Sequence, residues 1–289
     1  MIRFRDRETG RVATERVFGG DALSALYGRW RPLTDRVLSR ATANRIYGWL
    51  QRSARSRSKI PEFIRSLGID AGEAERPVES YRSLDEFFTR RLRAGARPID
   101  REPRHLVSPA DARALVIPEL GDQLVVKESQ VAVAQLVGDA NLAARVRGGC
   151  AVVFRLAPAD CHRFYFPDSG RAGVAREVPG PLHSVHPIAL YAGAPSFRNK
   201  RAISSLFTAE FGELLLVEIG ALCVGTIVQT YAAGDVGRGD EKGYFRFGGS
   251  TVVLLAEPGR VAVDDDLIRD TADGLETLVK SGTRIGRVA

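Results

Sequence analysis

Cysteine is scarce in this chain. The three present, Cys150, Cys161 and Cys223, are odd in number and lack metal-ligand spacing, which excludes a disulfide framework and a cysteine-held zinc site. They read as buried thiols in a reducing compartment. Long apolar runs are missing as well. The longest, LLLVEIGALCVGTIV at 214–228, is broken by Glu218 and falls short of the ~20 residues of a spanning helix. Its β-branched residues and glycines predict two core strands around a turn. The opening MIRFRDRETGR is charged with no apolar core behind it, so no signal peptide is read there and a cytoplasmic protein is expected. Zinc-finger spacing, an RNA-binding aromatic motif and a recognition-helix pattern are all lacking, as is a phosphate-binding GxxxxGK[ST]. The glycines of GDVGRGDEKG (234–243) do not lead from a strand into a helix and form no dinucleotide fingerprint. Nucleic acid is therefore not an expected partner.

What is present is a basic, ordinarily hydrophobic chain of 289 residues with a formal charge of +7 and a pI near 9.6. With no nucleic-acid motif, that excess points to an anionic membrane surface. Two grammars divide the chain. Residues 20–95 read as helical: Leu33, Val37, Leu38, Ala41, Ile46, Trp49 and Leu50 recur at helical spacing, and Ile60, Phe63, Ile64 and Leu67 form a short amphipathic piece ended by Gly68. Ser83 and Glu86 read as a capping box before EFFTRRL. From about residue 105, short β-rich runs alternate with Gly, Pro and Asp: QLVVKE, CAVVFRL, GELLLVEI, TIVQTY and STVVLL. The expectation is an α+β protein, with a helical, basic, membrane-associating lobe over 1–100 and a mostly antiparallel β domain over 101–289. The lobe has two compatible readings. Its apolar stripe packs on the β domain, or its apolar edge with Arg52, Arg55, Arg57 and Lys59 docks onto a bilayer, each cation near an anionic leaflet contributing ~1 kcal/mol.

The most informative tract is GYFRFGGSTVVLL at 243–255, which places Gly248, Gly249 and Ser250 inside a strand-like run. Two consecutive glycines there mark a bulge or a close backbone approach. Without a Cβ on Gly249, the Ser250 hydroxyl can bend back onto the preceding carbonyl, the geometry of an N→O acyl shift. β-Elimination then splits the chain and leaves a pyruvoyl group in place of Ser250.

This tract resembles the processing site of the phosphatidylserine decarboxylase family. SLDEFFTRRLRAGARPID (83–100), LVSPADARALVIPE (106–119), FRLAPADCHRFYFP (154–167) and GPLHSVHPIAL (180–190) match that family in the same order, and VEIGALCVGTI (217–227) is a weaker fifth match. The resemblance implies self-cleavage between Gly249 and Ser250, a covalent pyruvoyl cofactor derived from Ser250 that forms a Schiff base with the substrate, and decarboxylation of phosphatidylserine to phosphatidylethanolamine at the cytoplasmic face of a membrane. It also favours a homodimer and implies no metal. It assigns Asp111 as the acidic member of the self-processing triad and His162 as the first His of the family's HRxH motif. An Asp–His–Ser set can orient an imidazole and activate a hydroxyl whatever its chain order. His162 is also the group expected to reprotonate the carbon that loses CO₂.

The chain departs from the family pattern at four positions. Tyr165 stands where the second His of that motif is usual, and a phenol is a poor base at neutral pH. His186 stands where Asn is usual, which makes it an alternative base. Ala112 replaces the Gly of SPADG, and Lys200 replaces a Glu. His183 and His186 form an H-x-x-H pair with no third ligand nearby in sequence. Two alternatives stay open: a catalytically silent lipid-binding relative that does not self-process, and a decarboxylase of another serine-headed lipid.

Overall fold

A computed structural model describes residues 2–15, 20–30, 34, 48–222, 226–248 and 250–289, with no side-chain description for 20–23. The helical periodicity read from Leu33 to Ile46 lies outside these residues, as do Cys223 and Gly249.

The Ser250–Ala256 strand is buried at every residue because both of its faces are covered. Its side chains alternate: Val252, Leu254 and Ala256 enter one core, and Val253 and Leu255 enter another. The same division runs through Cys150–Leu156 and Gly212–Gly220, the strands on either side. A strand covered on both faces reads as a continuous apolar run, which is why STVVLL and LLLV are legible in the sequence.

These strands lie inside an 11-stranded sheet. From one edge the order is Gly234–Val236, Gly170–Ala172, Arg201–Thr208, Gly212–Gly220, Ser250–Ala256, Cys150–Leu156, Ala112–Ile117, Glu276–Val279, Arg3–Asp6 and Val12–Thr14, with Arg176–Val178 also pairing Arg201–Thr208. Every pairing is antiparallel except Arg3–Asp6 against Glu276–Val279. One face is capped by a three-stranded sheet (Ile227–Gln229, Glu241–Phe245, Arg163–Tyr165), which supplies Phe164, Phe245 and Ile227, and by the Asp265–Ala272 helix with Leu267. The other face is covered by residues 120–146 together with Leu190 and Phe197.

The antiparallel β-rich body agrees with the sequence reading; among the described residues a helical lobe over 1–100 is not shown. The first two strands, Arg3–Asp6 and Val12–Thr14, extend the main sheet. The described helices after them are short: Gly20–Tyr27, residues 48–52, Ile60–Leu67 and Leu84–Phe88, with 3-10 turns among them. The Ile60–Leu67 helix forms as expected. Ile60, Phe63 and Leu67 are buried, and Gly68 closes the helix at φ 67°, a conformation that costs Gly little. Ser83 caps the next helix by accepting the Glu86 N–H at 3.2 Å, while the Glu86 carboxylate reaches back to the Arg82 N–H at 2.7 Å. The two helices share a third core whose members include Phe63, Phe87, Phe88 and Phe247. Phe247 lies three residues before Ser250, so this core seats the helical segment against the tract that carries the serine.

Candidate active site

The chain leaves the small sheet at Phe245, turns through Arg246, Phe247 and Gly248, and enters the large sheet at Ser250. Gly248 has φ +133°, a backbone that side-chain-bearing residues rarely adopt. Ser250 opens its strand opposite Gly220 on one side and Leu156 on the other. Its residue is fully buried, and its Oγ has no hydrogen-bond partner among the described residues. A buried hydroxyl normally finds a partner, because leaving it bare costs about 1–3 kcal/mol. An orphaned serine oxygen next to a backbone only Gly accepts is the first sign that this turn serves chemistry.

His162 supplies the second group. It lies between Cys150–Leu156 and Arg163–Tyr165, and its carbonyl accepts the Phe245 N–H at 2.9 Å, which ties it to the strand leading into the turn. Nδ1 stands 3.0 Å from the Asp160 carbonyl oxygen. A carbonyl can only accept, so Nδ1 carries the proton and Nε2 keeps its lone pair. Nε2 is buried and makes no hydrogen bond of good geometry among the described residues, although the Gly248 backbone comes close enough to the imidazole to favour its charged form. The Phe88 ring covers the imidazole with centroids 3.8 Å apart. Burial pushes the His162 pKa down to about 3, so the ring is neutral at physiological pH and Nε2 is an acceptor.

Asp111 does not complete a hydrogen-bonded chain to His162. Its carboxylate is gripped by Arg97, with Nε at 3.0 and 2.9 Å from the two oxygens and Nη2 at 2.7 Å, and it accepts the Ser281 N–H at 2.9 Å. Arg97 holds Glu73 in the same way, at 2.8 and 2.7 Å. Burial opposes the charge on Asp111, but Arg97, Lys280 and the Ser281 N–H outweigh it and hold the acid below its ordinary range. The group that orients His162 is thus the Asp160 carbonyl. Asp160 is itself held by the Arg113 guanidinium and the Ala157 N–H.

Tyr165 is half-buried and lines a 150 Å³ cavity with Arg97, Ser108 and Ser281, the neighbourhood of Asp111. Burial raises its pKa further, so the phenol stays protonated and acts only as a neutral polar group. A histidine at this position would stand beside Asp111; the chain has Tyr165 and an arginine-bound aspartate.

The alternative base, His186, is on the wrong side of the sheet. It caps the Pro187–Tyr191 helix by accepting the Ile188 N–H on Nδ1 at 3.2 Å. Burial and the nearby Arg155 push its pKa down to about 4. Arg155 pairs across from Thr251, one residue after Ser250, and so projects to the opposite face. The sheet separates His186 from the Ser250 hydroxyl. Its partner in the H-x-x-H pair, His183, exchanges backbone hydrogen bonds with the Asn199 side chain at 2.9 and 2.7 Å. Asn199 also donates to the Gly220 carbonyl at 2.8 Å, which braces the residue opposite Ser250. Among the described residues no group of three His, Cys, Asp or Glu side chains could hold a metal.

Sequence reasoning missed Arg97 and Asp160. Both lie inside the matched segments, but only the fold brings Arg97 to Asp111 or turns the Asp160 carbonyl onto His162. Arg52, Arg55, Arg57 and Lys59 are all exposed, beside an exposed Trp49 and Leu50. Among the described residues no helix is long and apolar enough to cross a membrane.

The sequence profile of the family described as phosphatidylserine decarboxylase matches residues 84–287. A protein of Chlamydia felis called phosphatidylserine decarboxylase proenzyme is 40% identical over 294 residues, covering 99% of this chain and 98% of its own. Namesakes from Chlamydia caviae (40% identity; 99% and 98% coverage) and Ruminiclostridium cellulolyticum (38%; 99% and 97%) are similar over the same extent.

Proposed function

The chain belongs to the phosphatidylserine decarboxylase family, and we propose that it matures by cleaving its own backbone between Gly249 and Ser250 and then removes CO₂ from phosphatidylserine to give phosphatidylethanolamine. The observation that carries this is the buried Ser250 Oγ, without a hydrogen-bond partner among the described residues, next to the Gly248 bend whose backbone the His162 imidazole approaches.

Self-cleavage uses the serine as its own reagent. Nε2 of His162 takes the hydroxyl proton while Oγ attacks the Gly249 carbonyl carbon. The carbon–nitrogen bond breaks, an ester forms to Oγ, and the nitrogen of residue 250 takes up a proton. Loss of the Cα proton of residue 250 then expels the Gly249 carboxylate and leaves a carbon–carbon double bond. Water replaces the nitrogen, which leaves as ammonia, and the ketone of a pyruvoyl group remains. The residues present fit that group: Ser250 is the required precursor, and the apolar surroundings of Phe88 and Leu156 exclude stray water.

The pyruvoyl group supplies an electron sink for the pair released as CO₂ departs. This chain's residues do the rest. Neutral His162 accepts a proton from the substrate ammonium at Nε2, which frees the amine. Burial makes the imidazolium costly, so the proton is readily returned to the carbon once CO₂ has left. Tyr165, always a phenol, orients the headgroup without accepting a proton. The exposed cations Arg52, Arg55, Arg57 and Lys59, with Trp49 and Leu50, bring the enzyme to an anionic bilayer at its cytoplasmic face without spanning it.

The test is intact mass. Purified protein should give fragments of about 249 and 40 residues, the smaller blocked by pyruvoyl, while Ser250→Ala should give one full-length species. A second reading, a lipid-binding relative that never self-processes, is favoured by the capture of Asp111 by Arg97. A single uncleaved mass in the unaltered protein would establish it. For the membrane, replacing the four cations by Gln should weaken binding to anionic vesicles and activity on bilayers while sparing activity on detergent-dispersed lipid. Binding should also fall with salt, because screening shortens to ~3 Å at 1 M. Equal losses on both substrates would sink the docking reading.

A further inference from the structure

The Leu84–Phe88 helix reaches both halves of the site. Phe88 stacks on the His162 ring at 3.8 Å and packs on the Phe247 ring at 4.9 Å. Three residues earlier on the same face, Asp85 turns a buried carboxylate onto the turn itself. Its Oδ1 accepts the Phe247 N–H at 3.0 Å, and its Oδ2 accepts Arg246 Nη1 at 3.0 Å.

That contact has a local consequence. Phe247 is followed by Gly248, whose φ of +133° lets the backbone swing through conformations closed to other residues. A serine oxygen attacks the carbonyl before it only when the two are held at near-contact distance, and fixing such a geometry is worth orders of magnitude in rate. On the far side of the scissile bond, the strand ladder through Gly220 and Leu156 holds Ser250. On the near side, the Arg246 N–H donates to the Thr226 carbonyl at 3.2 Å, and one residue closer to the scissile bond the Phe247 N–H donates to Asp85. A buried carboxylate accepting a backbone N–H is also a strong, charge-assisted contact.

We propose that Asp85 is a positioning residue for self-cleavage. It pins the Arg246–Phe247 backbone so that the Gly249 carbonyl meets Ser250 Oγ, and after cleavage it keeps the new end of the large fragment in the site. This rests on the self-cleavage reading above.

Cell-free synthesis followed by a timed chase and intact mass measures the cleavage rate directly. Asp85→Ala should cleave at least tenfold more slowly than the unaltered chain. Asp85→Asn keeps an oxygen for the Phe247 N–H and should stay within about threefold, as should Arg246→Gln, which leaves that hydrogen bond in place. In an uncleavable Ser250→Ala background, Asp85→Ala should still unfold cooperatively, with only the modest drop in midpoint expected from one unpaired backbone N–H. Cleavage of Asp85→Ala at the unaltered rate overturns the proposal, as does an Asp85→Asn chain as slow as the Ala variant. A large loss of stability in the uncleavable background also overturns it, because Asp85 would then support the fold. An unaltered chain that never splits overturns the self-cleavage reading and this proposal with it. Splitting in the unaltered chain with Asp85→Ala unaffected removes this proposal alone.

Discussion

The two faces of the central sheet bury different polar groups beside the Ser250–Ala256 strand. On the face of Ser250, a serine hydroxyl is buried without a hydrogen-bond partner among the described residues, and an imidazole nitrogen is buried with no hydrogen bond of good geometry. On the face of Thr251, Arg155 is buried and doubly paired, with Nη1 and Nη2 at 3.0 and 2.7 Å from Glu15 and the same guanidinium on Glu276. Lys127 also pairs with Glu276, and Arg113 bridges to Asp160. Neither face is uniform: Glu218, across from Val252 on Ser250's face, is fully buried and paired with Lys242 at 2.9 Å, and His186 Nε2 on the other face is buried without a hydrogen-bond partner among the described residues. What sets the first face apart is a bare serine oxygen beside the Gly248 bend. Chemistry needs an atom with a free lone pair, whereas buried charge is tolerable only when matched.

The sharpest way to break this comparison is to exchange the histidines. His162→Ala should slow both self-cleavage and decarboxylation by about 10²–10⁴-fold, the usual contribution of a positioned acid–base group. His186→Asn should change both by less than about threefold. Fragment appearance and product release check this, and the reverse ranking would move the base to the other face.

The next effect is on stability. Arg155→Met leaves buried Glu276 with Lys127 alone and Glu15 with only the more distant Arg113 at 3.8 Å, and should cost about 3–5 kcal/mol, read from the urea midpoint of the uncleavable chain. The cleavage rate of molecules that remain folded should hardly move. A neutral result would show that the network is dispensable.

The smallest effect is in pH. His162 and His186 have folded pKa values of about 3 and about 4, against 6.5 for the free side chain. Between those values and 6.5 the unfolded chain binds more protons, so stability falls as pH drops through that window. Glu276, held at about 2 against burial by Arg155 and Lys127, adds a loss in the same direction between 4.5 and about 2. His162→Asn should therefore make the decline shallower from pH 6.5 down to about 3, leaving the shares of His186 and Glu276 in place. Stability that rises on acidification would contradict both burials. Cleavage itself should keep its base from pH 7 down to about 5, because His162 does not protonate there.

Much of the site was legible before any coordinates. Ser250 stood out because Gly-Gly-Ser interrupts an apolar run, and His162 and Asp111 came with the matched segments. Three things were not legible. Arg97 lies 14 residues from Asp111, and nothing local says that its fork closes on that carboxylate. His186 looked like a base because one strand's alternation, far away in sequence, decides which face it meets. The first strand, RFRD, holds a single buried apolar residue, Phe4, and its pairing is with Glu276–Val279 at the other end of the chain.

The sequence by itself determined the local chemistry: the apolar runs that must be strands, the glycines that permit the bend, and the serine that can attack its own backbone. These follow from steric freedom and hydrophobic period, properties of a few neighbouring residues. Tertiary structure alone decided which charges meet, that His186 lies on the face away from Ser250, and that Asp111 is bound by Arg97 while the Asp160 carbonyl orients His162. Those outcomes depend on strand order and on the parity of side chains across a sheet, and partners dozens to hundreds of residues apart set both.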